Sequence, residues 1–237
     1  MKIYKYELRR LLCNKFFVGL LVITMFYSYQ VMDGEIVLGV ANTAPFSGWS
    51  YGAFLSDILP LLLITLLFFI TFLYSPNEKK VQTITDTTPM DPTKYRLIRC
   101  FAMITGFVIS DVAAIAVSLV FYGRIFHFTG FGGFVAPTLV ALLPALLFIL
   151  GIGMIAGKLH PVSVYALIPV VLLLALVPLP DAADLFCGSF FSNYPATLGV
   201  VEPAFSVPVF VMTGRCAYAL VGLALIAAAV VKKPKHN

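Results

Sequence analysis

Charge is what this sequence has least of. Only 11% of its 237 residues are Asp, Glu, Lys or Arg, against 60% hydrophobic and 14% aromatic. So few charged side chains cannot coat a globular surface, and a water-soluble fold is excluded. Histidine is almost as scarce, with His127, His160 and His236 the whole complement. The inferred topology sets the first two at opposite membrane faces and the third in a terminal tail, so they cannot share a metal. Cys13, Cys100, Cys187 and Cys216 contain no C-x-x-C pair, which gives zinc no support. Paired glutamates suited to an intramembrane metalloprotease are missing, and no His falls near enough to Ser189 to make it a nucleophile. No catalytic and no metal-binding residue is therefore assigned, and the chain is expected not to be an enzyme.

What is present in quantity is apolar sequence. A crossing helix needs about 20 apolar residues, because each adds about 1.5 Å toward a hydrocarbon core about 30 Å thick. Runs near 16–32, 52–75, 97–123, 134–157, 162–180 and 208–231 meet that requirement. The expectation is an all-α membrane protein: a single transmembrane domain over 1–237 with six transmembrane helices. A cleaved leader is not expected, since the polar stretch before the first run is long and patterned and no small-x-small site follows promptly. Residues 1–15 place Ile3, Leu8, Leu11 and Leu12 on one side and Lys5, Glu7 and Arg9 largely on the other. That pattern predicts an N-terminal interfacial helix, with a frayed basic tail as its rival. The segment Asp181 to Pro208 is too interrupted by proline and acids to cross, yet too apolar to be a free loop. A re-entrant outer segment between helices five and six satisfies both facts.

Orientation follows from the basic residues. Fourteen of the 16 Lys and Arg fall in segments on one face, and only Arg124 and Arg215 fall opposite, beside Asp33, Glu35, Asp181, Asp184 and Glu202. Basic loops stay cytoplasmic. The expected location is the cell membrane, with both termini cytoplasmic. A net charge of +5 is absorbed by this asymmetry and by the lipid bilayer, so nucleic acid is not an expected partner.

Gly151 to Lys158 reads GIGMIAGK, but Leu159 stands where a phosphate-binding loop needs Ser or Thr, so nucleotide binding by this chain is not expected. The same stretch holds Gly153-xxx-Gly157, a spacing that lets two helix backbones approach closely but also arises by chance. Asp111, mid-span in FVISDVAAI, must face protein or water. It serves either cargo or a proton, or, as the favoured reading, fixes helix packing as a hydrogen-bonded or protonated carboxyl. Asp57 sits near the outer end of span two, where water reaches it more easily. Cys187 and Cys216 both fall near the outer face, where a disulfide depends on a separation the sequence does not supply. Pro137, Pro144, Pro169 and Pro178 are potential kinks.

The densest charge lies between two of the most apolar runs. Ser75 to Arg99 carries eight charges in 25 positions: Glu78, Lys79, Lys80, Asp86, Asp91, Lys94, Arg96 and Arg99. Turn formers bound it at Ser75-Pro76-Asn77 and at Pro89 and Pro92. A short surface helix between them competes with a solvated loop held by anionic lipid. An amphipathic first helix, six spans, this charged first cytoplasmic loop and a re-entrant outer segment together resemble the membrane subunit of a type-2 ABC exporter. The loop carries the likeness in Glu78-Lys79-Lys80, in the small polar run Thr83 to Thr88 with Asp86, and in Thr88-Pro89. It departs where the family has Gly-Thr after the acid cluster and Gly-Lys at span three, here Ile98-Arg99.

The resemblance implies a permease subunit working as a homodimer or heterodimer with a second permease subunit, bound to two ABC ATPase subunits. Glu78, Lys79, Lys80, Thr83, Asp86, Thr88 and Pro89 would form the coupling helix. No cofactor is implied in this chain; ATP and Mg would sit in the partner ATPase. An amphiphilic cargo (a peptide, a drug-like molecule or a lipid) suits wide apolar spans, with Tyr165, Phe148, Phe107 and Asp111 as candidate lining residues. The rival is a non-transporting membrane scaffold or sensor that docks a cytoplasmic partner on the same loop. An ion-coupled carrier is disfavoured, because inverted repeats are not evident and one deep acid is too few.

Overall fold

The computed structural model describes residues 2–41, 43–75, 92–177, 179–181 and 183–231. Among the described residues the fold is entirely helical: α1 Lys2–Leu12, α2 Lys15–Gly34, α3 Gly48–Leu73, α4 Pro92–Ile125, α5 Val135–Leu159, α6 Pro161–Leu176, α7 Gly188–Thr197 and α8 Val209–Val230. Short 3-10 turns at Ile36–Leu38 and Phe131–Phe134 complete it.

Five stretches are long and apolar enough to cross a membrane: Lys15–Leu38, Gly48–Leu73, Thr93–Ile125, Phe131–Leu159 and Val209–Val230. The run expected over 162–180 is shorter. Its helix, α6, has 16 residues and rises only about 24 Å, less than a hydrocarbon core. It stops because Val177 is extended at φ −90° and ψ 120°, as the residue before a proline prefers to be. The segment expected to form a coupling helix, with Glu78, Lys79, Lys80, Thr83, Asp86, Thr88 and Pro89, lies outside the described residues.

Local chemistry sets the starts. Asn14 caps α2 by accepting from the Phe16 amide, and Ser47 caps α3 by accepting from the Ser50 amide. Pro161 opens α6 behind the His160 ring, whose Nδ1 accepts from the Val162 amide at 3.3 Å. These acceptors satisfy amides that have no partner within their own helix. At the far end of α8, Arg96 and Lys158 donate to the carbonyls of Val230 and Ala228, so cations complete the last turn, where the helix dipole favours them.

α3 is the central post. Most side chains from Trp49 to Leu73 are buried, with α2, α4, α5, α6 and α7 packed around it. Lipid tails are as apolar as leucine, so close packing and hydrogen bonds decide which helices associate. Between α5 and α8, backbone meets backbone at two places. A Cβ on Gly222 of α8 would lie 2.5 Å from the Leu147 carbonyl group of α5, and one on Gly151 would lie 2.7 Å from the Gly222 carbonyl oxygen. Gly153 faces α3, where a Cβ would meet Ile70 at 2.5 Å, and Gly157 abuts the Tyr74 ring. The spacing noticed in sequence thus sits on an α5–α3 contact with side chains, while the backbone-to-backbone α5–α8 contact uses Gly151 and Gly222.

α1 docks differently from its sequence pattern. Tyr4, Glu7, Leu8 and Leu11 face the bundle, with Glu7 and Leu11 only 2% exposed, whereas Ile3 is 36% exposed. Lys5 and Arg9 stay exposed, and Glu7 turns inward beside Leu11 because α4 offers it polar partners. The Tyr4 hydroxyl meets Thr105 Oγ1 at 2.7 Å, and Glu7 sits among Tyr95, Arg99 and Arg10.

Candidate functional site

A cavity of about 1120 Å³ opens between α2, α3, α6 and α7. Its size is at or above that of ordinary small-molecule sites. One end is polar, with Ser56 and Asp57 from α3, Tyr27 from α2, and Ser189 and Asn193 from α7. The rest is apolar, walled by Ile23 and Phe26 of α2, Leu61 and Ile64 of α3, and Leu172 and Leu176 of α6.

Helical spacing explains this gradient. Asp57, Leu61 and Ile64 recur at four and three residues, so they form one stripe along α3. Only its Asp57 end is charged. Pro60 interrupts the hydrogen bonding of α3 beside the cavity, since it has no amide proton to donate.

α7 forms the polar end, and Asp184 holds it in place. Asp184 Oδ1 accepts from the Phe186 amide at 2.8 Å, and its Oδ2 accepts from the Ser189 amide at 3.3 Å. The Ser189 hydroxyl donates to Asp181 Oδ1 at 2.7 Å. From α8, Arg215 donates to the carbonyls of Leu185 and Asp184, and the Tyr218 hydroxyl to that of Ala183. Behind α7, Phe190 and Phe191 are fully buried, and Gly52 makes room for the Phe191 ring. Trp49 lies 5.4 Å from Phe190 and donates its indole N–H to the Pro203 carbonyl. The wall is therefore a fixed surface.

Charges around the cavity are unequal. Asp184 spends its carboxylate on backbone amides, whereas Asp57 makes no hydrogen bond among the described residues. No Lys, Arg or His lines the cavity. Glu35 lies close enough to Asp57 for their charges to interact.

No family model, no curated protein and no solved structure matches this chain.

The residues expected to line a passage are elsewhere. Phe107 is fully buried, Phe148 packs edge-on against Tyr218 at 4.9 Å, and Tyr165 is 57% exposed on the surface of α6. Asp111 is buried in α4 within electrostatic reach of Tyr51, and its Oδ1 has no hydrogen-bond partner among the described residues. None of the four touches the cavity. Asp57 is the functional candidate that sequence reasoning passed over. Its signal was present as a lone acid heading an otherwise apolar helical stripe.

Cys187 and Cys216 are both free thiols, the first buried and the second exposed. Cys187 occupies the left-handed region at φ 61°, and burial pushes its thiol up to about 12. Among the described residues no group of His, Cys, Asp and Glu is placed to hold a metal.

Proposed function

We propose that the chain is the permease subunit of an ABC transporter, exporting an amphiphilic cargo with ATP hydrolysed by separate ATPase subunits. The observation that carries this reading is the amphipathic cavity, a volume large enough for a drug-sized or lipid-like molecule that opens between apolar helices. In this reading α6 is a sixth, thin crossing, and α7 with its flanking turns is the re-entrant outer segment. A short helix is accommodated when neighbouring helices cover its ends or the bilayer thins. Both termini lie in the cytoplasm, by the concentration of Lys and Arg at the end of the bundle that carries α1.

The charged segment between α3 and α4 then serves as the docking point for the ATPase. It joins the central post directly to α4, and α4 is also bound by α1. Work delivered there reaches the helices that wall the cavity, provided the bundle has two packings. A second permease subunit, identical or similar, completes the pathway.

Co-purification with a candidate ATPase tests the proposal. Replacing Glu78, Lys79 and Lys80 together by Ala is expected to reduce both complex formation and cargo-stimulated ATP hydrolysis. Unchanged values for both would remove the coupling role. Accessibility of a cysteine placed in residues 76–91 to a membrane-impermeant reagent from outside intact cells would overturn the topology.

A further inference from the structure

We propose that the cavity between α2, α3, α6 and α7 binds a single-chain cationic amphiphile, with Asp57 as counter-ion to its headgroup and the Leu61–Ile64 stripe along its tail. The inference rests on the permease reading and narrows it, from amphiphiles in general to those carrying positive charge.

The charge balance of the cavity argues for this sign. Of the carboxylates on its wall, Asp184 is satisfied by the Phe186 and Ser189 amides, and Asp57 has no hydrogen-bond partner among the described residues. No basic side chain lines the space. Glu35 adds negative field at Asp57. A carboxylate beside an apolar wall is stable only when paired or hydrated. An anionic headgroup placed there would meet Asp57 with no cation to offset it, and a neutral one would leave Asp57 unpaired. A cationic headgroup resolves both, and Ser56, Ser189 and Asn193 provide acceptors for any N–H groups it carries.

The dimensions argue for the tail. Seven residues separate Asp57 from Ile64, about 10 Å along a helix. The apolar wall on that side is continuous and faces Ile23 of α2 and Leu172 of α6. Head and tail therefore have separate, correctly ordered surfaces.

The test uses the full chain purified in dodecyl maltoside micelles, which carry no charge of their own. Two probes share one alkyl chain and one fluorophore and differ only in the headgroup, trimethylammonium or sulfonate. Fluorescence anisotropy is expected to show the cationic probe binding at least about tenfold more tightly, the scale of one charge-assisted contact. Asp57→Asn removes that preference, Asp57→Glu keeps it, and Asp33→Asn, at an exposed acid outside the cavity, leaves it unchanged. Equal affinity for both probes, or full selectivity in a well-folded Asp57→Asn protein, overturns the proposal. So does a dimer in light scattering that excludes the probe, since a second copy would then occupy the space. If Asp57→Asn fails to fold, the selectivity of the wild-type chain decides alone. No ATPase enters the measurement, so a chain that binds the probe but never captures an ATPase keeps the site and loses the permease reading.

Discussion

The Glu7 carboxylate accepts a hydrogen bond of 2.9 Å from the Tyr95 hydroxyl, joining α1 to the first turn of α4 across 88 residues of sequence. Arg99 Nε approaches the same carboxylate at 3.6 Å, and Arg10 reaches its other oxygen at 3.8 Å. Arg99 also stacks over Tyr95, and Arg10 over Phe72 of α3. α1 is thus tied by buried polar contacts to the two helices that flank the charged 76–91 segment.

Removing one member of such a buried cluster leaves opposite charges uncompensated. Glu7→Ala is expected to destabilise the protein by about 3 kcal/mol, read as a lowered thermal midpoint in detergent. Glu7→Gln, which retains the acceptor for Tyr95, loses less. An unchanged midpoint for Glu7→Ala would show that α1 is not held by these contacts.

Helix approach at glycine predicts a contrast between positions. Gly222→Ala must push α8 away from Leu147 backbone and is expected to cost about 1–3 kcal/mol. Gly19→Ala in α2 meets nothing within 4 Å, so better helix propensity makes it neutral or slightly stabilising. Thermal aggregation of the two purified variants distinguishes them. Equal behaviour would contradict the α5–α8 packing.

Cys187, at the start of α7, and Cys216, within α8, should react unequally. With Cys187 pushed up to about 12, the thiolate that attacks maleimide is almost absent from neutral to mildly alkaline pH, and burial blocks access as well. In the native protein Cys187 stays unlabelled from neutral to mildly alkaline pH and becomes reactive on denaturation. A small lipid-soluble maleimide labels Cys216 first, because that side chain is exposed. Mass spectrometry of the labelled peptides reads the order, and prompt native labelling of Cys187 would refute the packing around α7.

Asp111 offers a fourth check. Its Oδ1 lacks a partner in a buried site, and a neutral amide costs less to bury than a carboxylate. Asp111→Asn is therefore expected to keep the stability within about 1 kcal/mol of wild type or to raise it, read from the thermal midpoint. A loss beyond that would mean the acid makes an essential bond in the folded protein.

Much of the helical layout was legible because transfer into hydrocarbon is set residue by residue. The crossings at Gly48–Leu73 and Val209–Val230 fall within a few residues of the apolar runs that predicted them. The 162–180 run yields a helix of only Pro161–Leu176, because apolar composition continues past Val177, whose extended backbone ends the helix. Glu7 was misplaced for a different reason. Four residues before Leu11, it shares that residue's face of the helix instead of the face of Lys5 and Arg9, and Tyr95 and Arg99 on a distant helix receive it there.

The sequence by itself determined that this chain is helical, apolar and asymmetric in its basic residues, since those properties sum over neighbours along the chain. Only the tertiary structure decided that Asp57, Ser189 and Leu172 share one cavity, and that Gly151 meets Gly222. Such meetings depend on how helices far apart in sequence fit side by side. Shape and hydrogen bonding decide that fit, because every helix face is similarly attracted to lipid.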